Sequence, residues 1–249
     1  MHLTEEEIKN GFWCPRPDFP PAPISDIEEY TGTDKLNLVC TQLDSTSSNQ
    51  KRLVKEWVQT LRGLKQVRFL WFNSRVSQEL FDAACQIEGL KGLYIKWSGI
   101  KDISALKAAE QLQFLSIGSS PGIQNVEVLS DLRQLIVLEL ENIKKLRQLE
   151  VLGNLTQLEA LAVTGSTWTK QIVESLSPIS RLSSLRYLLI SLRSLDRTLL
   201  PLRELTSLVN LLTAYWWPIE DFKLLRESLP NLKFGTVFHE ELIEQFGKR

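Results

Sequence analysis

The chain has 249 residues, of which 43% are hydrophobic and 24% charged, a composition typical of a soluble globular protein. It carries 29 basic and 30 acidic residues, which gives a net charge of -1. Proteins that bind nucleic acid or anionic membranes usually have a clear basic excess, so this balance argues against both partners. The 3 cysteines are scattered, and no cysteine or histidine spacing is typical of zinc, so neither a disulfide framework nor a metal site is expected.

Residues 1–34 are predicted to form a proline-rich N-terminal arm. The chain begins with the acidic sequence MHLTEEE, which lacks the basic and apolar regions of a signal peptide, and no apolar run has the length of a membrane span. A cytoplasmic location is therefore expected, while export by a signal-independent route stays open. The prolines between Pro15 and Pro23 keep this part extended, as a linker, a strap or a recognition arm.

Residues 35–64 are predicted to form an N-terminal cap made of a strand and an amphipathic helix. Residues 35–41 predict a strand that pairs outside the first repeat. Residues 51–64 place Leu53, Trp57 and Leu61 on one helical face, with lysine and arginine opposite.

Residues 65–236 contain the pattern L-x-x-L-x-L eight times. The second leucines of these blocks are Leu70, Leu93, Leu115, Leu138, Leu161, Leu188, Leu211 and Leu232, so the successive steps are 23, 22, 23, 23, 27, 23 and 21 residues. Each x-L-x-L-x core predicts a short strand with two apolar side chains on one face. One repeat cannot bury that face alone, so parallel neighbours must stack to form a continuous leucine core.

Three further segments are predicted to be helical. Residues 76–88 carry an apolar face, which predicts a helix on the outer side of the array. The 27-residue step adds residues around 168–177, which are predicted to hold another outer helix. Residues 237–249 are predicted to form a C-terminal cap, in which Leu242, Ile243 and Phe246 of a helix over 240–246 cover the last repeat.

The repeated block resembles the leucine-rich repeat family across roughly residues 60–235. The stretch from Leu93 to Leu106 is most similar to the short repeats, of about 22–23 residues, of internalins and of a regulatory subunit of protein phosphatase. The resemblance implies an α/β fold, a right-handed curved solenoid with a parallel sheet on the concave side and helical or irregular segments on the convex side. It also implies a cap at each end. It is specific for the fold and unspecific for the function.

The side chains that flank each leucine pair are predicted to face the concave surface. They are rich in aromatic residues and poor in charge, which marks an interaction surface. The candidate partner-binding residues are Phe69, Trp71, Tyr94, Lys96, Trp97, Phe114, Glu139, Glu141, Tyr187 and Tyr215. Trp71, Tyr94 and Trp97 are predicted to anchor a partner, which the charged members orient. Alternatively, the rings pack against one another, the arm folds over them, or the face holds a glycan or small ligand.

No catalytic constellation is recognisable. The two histidines, His2 and His239, lie outside the predicted strands, and Glu139 and Glu141 lack the opposed geometry of an acid/base pair. Cys85 is expected to be a small buried side chain. The sequence therefore predicts no enzyme, no catalytic residue, no metal and no cofactor.

The chain is predicted to be a non-enzymatic protein-interaction module. It would act as a free-standing adaptor, scaffold, inhibitor or regulatory subunit that binds a protein partner through the concave face, and a monomer is favoured over a homodimer. Nucleic acid and membrane are not expected partners. The alternatives are a structural homo-oligomer that pairs through the concave aromatic face, and a bacterial effector or toxin-neutralising protein.

Overall fold

A computed structural model of the chain describes residues 2–11, 20–166, 168 and 170–248. Cys14, Pro15 and Pro17 of the arm lie outside the described residues. The described chain forms two compact units. Residues 20–135 belong to the N-terminal unit. Residues 136–248 belong to the C-terminal unit together with residues 2–11, which are called the N-terminal segment.

Strands and short helices alternate along the described chain. The α-helices are α1 (Glu5–Asn10), α2 (Ser47–Leu61), α3 (Gln78–Ala84), α4 (Ile219–Ser228) and α5 (Glu240–Phe246). The strands are β1 (Lys35–Leu38), β2 (Phe69–Phe72), β3 (Gly92–Trp97), β4 (Phe114–Ser119), β5 (Val137–Glu141), β6 (Ala160–Thr164), β7 (Gln171–Val173), β8 (Tyr187–Ser194), β9 (Asn210–Thr213) and β10 (Phe234–Gly235). Single 3-10 turns lie at Ile27–Glu29, Ser104–Ala108, Glu127–Asp131, Leu152–Asn154, Ser177–Arg181, Leu200–Glu204 and Thr236–Phe238.

Within each unit the strands pair in parallel and keep the leucines of successive repeats in register. In the N-terminal unit, β1 to β4 pair in chain order and align Leu36, Leu70, Leu93 and Leu115. In the C-terminal unit, β5, β6, β8 and β9 align Leu138, Leu161, Leu188 and Leu211. None of these leucines is more than 1% exposed. The leucine-rich repeat architecture predicted from the pattern is confirmed, with one leucine of each strand in a shared core.

The last repeat starts three residues later than the pattern predicts. Gly235 of β10, and not Leu232, aligns with Leu211. Leu229 and Leu232 take the place of the leucines that precede a strand, because the L-x-x-L spacing recurs there and fits two positions equally well. Gly235 has φ 114°, and its missing Cβ lets the backbone lie against Leu211. Glycine is required at this position because other residues rarely adopt that conformation.

The strand and the helix expected before the first repeat are β1 and α2. The helix buries Leu53, Trp57 and Leu61, which recur every four residues and therefore share one face. The Trp57 Nε1 donates a hydrogen bond to the Ser25 carbonyl at 2.7 Å, so the helix also holds part of the arm. The boundaries of arm, cap and repeats at residues 34, 64 and 236 remain predictions.

The two outer segments differ from each other. The helix predicted over 76–88 is α3, which begins after Ser77. The helix predicted around 168–177 is wrong, because this segment contains β7, which pairs in parallel with the extended end of β8. Gln171 and Val173 are buried and Ile172 between them is exposed, the alternation typical of a strand. The apolar residues here were too few to distinguish the two structures by period.

The C-terminal helix has the predicted position but covers less than expected. Ile243 of α5 is 5% exposed, whereas Leu242 and Phe246 are 38% and 55% exposed. A single side chain of this helix is therefore buried against its unit.

Candidate functional site

The N-terminal unit carries four aromatic rings on the sheet face, which is the face of the strands opposite the leucine core. Phe69, Trp71, Tyr94 and Phe114 form this aromatic row, and they flank the buried leucines as the sequence predicts. Trp71 stacks on Tyr94 with 5.2 Å between the ring centroids and 10° between the planes. Phe69 lies 6.3 Å from both Trp71 and Phe114. These are the separations at which rings attract one another.

Gly92 makes room for the aromatic row. It occupies the sheet-face position of β3 between Phe69 and Phe114, and a Cβ there would lie 2.6 Å from the Phe69 ring. Because the side chain is absent, the Phe69 ring can lie over the strand and reach the ring of Phe114. The glycine therefore has a packing role in this row.

Most of the aromatic row is buried, which corrects the expectation of exposed anchors. Trp71, Tyr94 and Phe114 are 4%, 8% and 2% exposed. The rings shield one another through their stacked contacts, so packing within the row accounts for part of this burial. Trp71 Nε1 is buried and has no hydrogen-bond partner among the described residues. A buried donor without an acceptor costs roughly 1–3 kcal/mol.

Three candidates of the N-terminal unit are accessible. Lys96 is exposed, and Phe69 and Trp97 are half-buried. The Arg75 guanidinium lies 5.8 Å from the centre of the Trp97 ring, within the range of a cation–π contact. A partner that meets this face would contact Phe69, Lys96 and Trp97 first.

The described part of the arm in the N-terminal unit is joined to the first strand. Ile24 pairs in parallel with Leu38 of β1, and the Asn37 side chain donates a hydrogen bond to the Pro21 carbonyl at 2.7 Å. Asn37 also accepts a hydrogen bond from the Asn73 side chain at 2.8 Å. This part of the arm therefore extends the sheet at its first strand.

In the C-terminal unit, the N-terminal segment packs against the strands. Thr4 caps α1 through a reciprocal pair of hydrogen bonds with Glu7. Gly11 ends the helix with φ 64°, a left-handed conformation that glycine adopts without steric cost. Leu3 and Ile8 are 5% and 0% exposed, so the N-terminal segment buries both of these apolar side chains against the repeats.

Asn210 holds the C-terminal half of α1. It lies at the start of β9 on the sheet face, and its Nδ2 donates to the carbonyls of Ile8 and Lys9 at 3.0 Å each. The Lys9 ammonium lies 5.6 Å from the centre of the Phe234 ring of β10. Orphan carbonyls at the end of the helix thereby gain a partner on the repeats.

Glu159 and Arg186 hold the start of the N-terminal segment. The Glu159 carboxylate accepts hydrogen bonds from Leu3 N at 3.0 Å and from Arg186 Nη1 at 3.2 Å, and it also contacts His2. Arg186 Nη1 donates to the Leu3 carbonyl at 2.6 Å. Glu159 is 5% exposed, so these hydrogen bonds replace the contacts with water that its carboxylate loses on burial. Both residues immediately precede strands, which places them at one edge of the sheet.

The N-terminal segment covers Tyr187, which corrects the expectation that this ring is exposed. Tyr187 is 3% exposed, and the Gly11 backbone lies beside its hydroxyl. Burial, aided by the nearby charge of Glu139, raises the pKa of Tyr187 to about 12. The sequence left open that the arm folds over the aromatic rings of the sheet face. For Tyr187 in this unit, the structure supports that alternative.

The remaining candidates of the C-terminal unit are half-buried. Glu139 and Glu141 lie on the sheet face of β5, with one residue between them. The Tyr215 hydroxyl forms a 2.7 Å hydrogen bond with His239 Nδ1, and its ring lies 6.4 Å from that of Phe246. Tyr215 thus contacts the C-terminal cap.

A surface that sequence reasoning missed surrounds β7. It has three exposed apolar side chains, Trp168, Ile172 and Leu195, which are 93%, 45% and 59% exposed. It also has six exposed cations, Lys144, Arg147, Lys170, Arg193, Arg197 and Lys248. These nine side chains are called the β7 surface. The 27-residue step marked this region, but only the pairing of β7 with β8 brings the cations of several repeats together.

Both cysteines that the structure describes, Cys40 and Cys85, are buried. Burial raises the pKa of Cys40 to about 12 and also raises the pKa of Cys85, so both are neutral thiols near pH 7. Among the described residues, no three histidine, cysteine, aspartate or glutamate side chains are grouped to hold a metal. None of the described helices has the length and apolarity to cross a membrane.

Solved structures of leucine-rich repeat proteins have a similar fold, including the following two. Internalin C2 from Listeria monocytogenes is 22% identical, with a TM-score of 0.53, over 73% of this chain and 80% of its own. A leucine-rich repeat protein from Leptospira interrogans is 17% identical, with a TM-score of 0.50, over 86% of this chain and 69% of its own. No protein-family model and no curated protein sequence matches the chain. The likeness supports the fold, and the short-repeat subclass stays a prediction.

Proposed function

From its leucine-rich repeat fold, we propose that this chain acts by binding another protein and performs no catalytic step. The observation that carries the proposal is that Phe69, Lys96 and Trp97 of the N-terminal unit remain accessible, although the other rings of the aromatic row are buried. Water normally meets polar side chains on the open face of a sheet, whereas here that face is as apolar as a core. An apolar face of this kind, bordered by accessible aromatic and basic side chains, is typical of a protein-binding surface.

The proposed contact residues are the accessible members of this face. Trp97 and Phe69 would supply apolar contact area, and Lys96 would select an acidic group on the partner. Trp71 and Tyr94 would not contact the partner directly. Their stacked rings would hold the sheet face rigid beneath the contact residues. The chain would act as an adaptor, inhibitor or regulatory subunit by occupying the partner's surface.

In the C-terminal unit, the proposed contacts are Glu139, Glu141 and Tyr215. We expect them to contribute less to binding, because they are half-buried. Tyr187 is not among the proposed contacts, because the N-terminal segment covers it.

The test compares a double variant of the sheet face with a matched variant elsewhere. Lys96→Ala with Trp97→Ala removes an adjacent cation and ring from the proposed face. Lys223→Ala with Leu224→Ala removes an exposed cation and an exposed apolar side chain from α4, and serves as the control. Affinity capture from the source organism, quantified by mass spectrometry, measures the partner that each variant retains.

A partner should be recovered with the wild type and the control, and its recovery should fall at least about tenfold with the sheet-face variant. Equal recovery with both variants would exclude this face. Analytical ultracentrifugation of the pure chain distinguishes a second copy as the partner: a dimer that the sheet-face variant dissociates would replace the adaptor by a homo-oligomer.

A further inference from the structure

Within the described parts of the chain, the cations of the β7 surface have no acidic partner. None of the six takes part in an ion pair between described residues. The nearby carboxylates of Glu174 and Asp196 accept hydrogen bonds from Gln148 and Ser175 instead. In a chain whose net charge is -1, a group of unpaired cations on one surface is an unusual concentration of positive charge. Such a concentration attracts anions.

The cations line two cavities, one on each side of Ile172. A cavity of about 310 Å³ contains Lys144, Arg147 and Lys170 in its wall. A second cavity of about 280 Å³ contains Arg193, Arg197 and Lys248. No acidic residue is among the described residues that line either cavity. Ile172 belongs to both walls, so an apolar ridge separates two basic depressions.

Trp216 organises the cations around the ridge. The Lys170 ammonium and the Arg193 guanidinium lie 5.2 Å and 5.4 Å from the centre of its ring. Cation–π attraction limits the freedom of both side chains, which lowers the entropy that a ligand must remove when it binds.

Three residues that line the second cavity have a buried polar atom with no hydrogen-bond partner among the described residues. Trp216 Nε1, Trp217 Nε1 and Ser194 Oγ are buried and have no partner among the described residues. Trp217 and Ser194 are 2% and 4% exposed. These buried groups are not reached from the cavity, and the three cations in its wall are what favour an occupant that carries negative charge.

We propose that the β7 surface binds a short, extended acidic segment of a partner protein, in which carboxylate side chains alternate with apolar ones. The carboxylates face Arg193 and Arg197 on one side of Ile172 and Lys144 and Arg147 on the other. The apolar side chains cover Ile172 and Leu195, whose exposure otherwise costs hydrophobic free energy. This site lies in the C-terminal unit and is independent of the sheet face proposed above.

A peptide fits these observations better than a nucleic acid. A phosphate backbone is held mainly by net positive charge, which this chain lacks, and its bases need open aromatic faces on which to stack. The Trp216 ring is occupied by two cations, and the aliphatic Ile172 and Leu195 offer no stacking platform, so Trp168 is the one ring of the β7 surface that is open to a base. Aliphatic side chains next to unpaired cations suit a peptide that is both acidic and apolar.

The test uses three fluorescein-labelled probes and the full chain, with affinity measured by fluorescence anisotropy. The probes are a peptide of alternating glutamate and leucine, one of alternating glutamate and serine, and a single-stranded thymidylate oligonucleotide. Arg193→Glu with Arg197→Glu reverses two charges at the site. Lys65→Glu with Lys107→Glu makes the same change in charge at exposed positions of the other unit and is the matched control.

The glutamate–leucine peptide should bind the wild type and the control equally and bind the site variant at least about tenfold more weakly. The glutamate–serine peptide should bind more weakly than its leucine counterpart. Arg147→Glu with Lys248→Glu, which leaves the Trp216 contacts intact, should repeat the loss if the first variant fails to fold.

Several results would overturn the proposal. They are equal binding of the two peptides, equal weakening by the site variant and the control, tighter binding of the oligonucleotide, or no binding of the glutamate–leucine peptide. The sheet-face variant Lys96→Ala with Trp97→Ala should leave the affinity for the peptide unchanged. The outcome at this surface therefore decides nothing about the sheet face, and the two proposals can fail separately.

Discussion

The two units contain the same repeat but differ in what covers its sheet face. In the C-terminal unit the chain's own N-terminal segment buries Leu3 and Ile8 against the strands, held by Asn210 and Glu159. In the N-terminal unit the face is lined by its own stacked rings. The leucine pattern specifies the core and leaves the opposite face free to vary. That face is where members of one architecture can differ in function.

The largest expected effect comes from removing the apolar anchor of the N-terminal segment. Ile8→Ala should lower the free energy of unfolding by about 2–5 kcal/mol, because Ile8 is fully buried and its loss leaves a cavity. Urea denaturation followed by circular dichroism measures the change. Glu6→Ala, on the exposed side of the same helix, is the control and should shift stability by less than about 0.5 kcal/mol. If the two variants are equally stable, the C-terminal unit does not depend on its covering segment, and the contrast between the units disappears.

A smaller effect is expected where the N-terminal segment meets Tyr187. Gly11→Ala should destabilise the protein by roughly 1–3 kcal/mol, because Gly11 has φ 64° and an added Cβ would overlap the Tyr187 hydroxyl. Gly63→Ala is the control: its added Cβ would lie 3.6 Å from the Thr60 carbonyl oxygen, an ordinary contact. Thermal unfolding should show a lower midpoint for Gly11→Ala alone. Matching midpoints would mean that Tyr187 is not covered in solution.

The smallest effect sharpens the account of the N-terminal unit. Trp57 Nε1 donates to the Ser25 carbonyl, whereas Trp71 Nε1 has no partner among the described residues. Trp57→Phe should therefore lower the free energy of unfolding by about 1 kcal/mol more than Trp71→Phe does. Both substitutions shorten the ring in the same way, but only Trp57→Phe removes a hydrogen bond between described residues. Chemical denaturation of the two variants gives the difference. A greater loss with Trp71→Phe would place an acceptor at the aromatic row.

The core could be predicted from the sequence because its pattern is local. The L-x-x-L-x-L blocks place Leu70, Leu93 and Leu115 in register, and a four-residue spacing identifies α2. The last repeat was misplaced because the leucine spacing around Leu232 fits two registers. The segment at 171–173 was assigned to a helix because its strand partner, the extended end of β8, is not visible in the segment itself.

The candidate site was predicted less well, for a physical reason. The alternation of strand side chains correctly placed Trp71 and Tyr94 on the sheet face, but period alone does not tell whether a face meets water. The hydrogen bonds of Leu3 with Glu159 and of Ile8 with Asn210 join residues 156 and 202 positions apart. No local pattern encodes such contacts. The cations of the β7 surface were missed for the same reason, since they come from separate repeats.

The docking of the N-terminal segment also orders events during synthesis. Leu3 and Ile8 are synthesised well before their partners, since Asn210, which holds the end of α1, is translated 202 residues after Ile8. Until then the N-terminal segment has no docking site, and its two apolar side chains stay in contact with water or with a chaperone. Closing so long a loop carries an entropic cost that grows with the logarithm of its length. Helix α1 therefore reaches its native position only after β9 has been synthesised, and completion of the C-terminal unit waits for that strand.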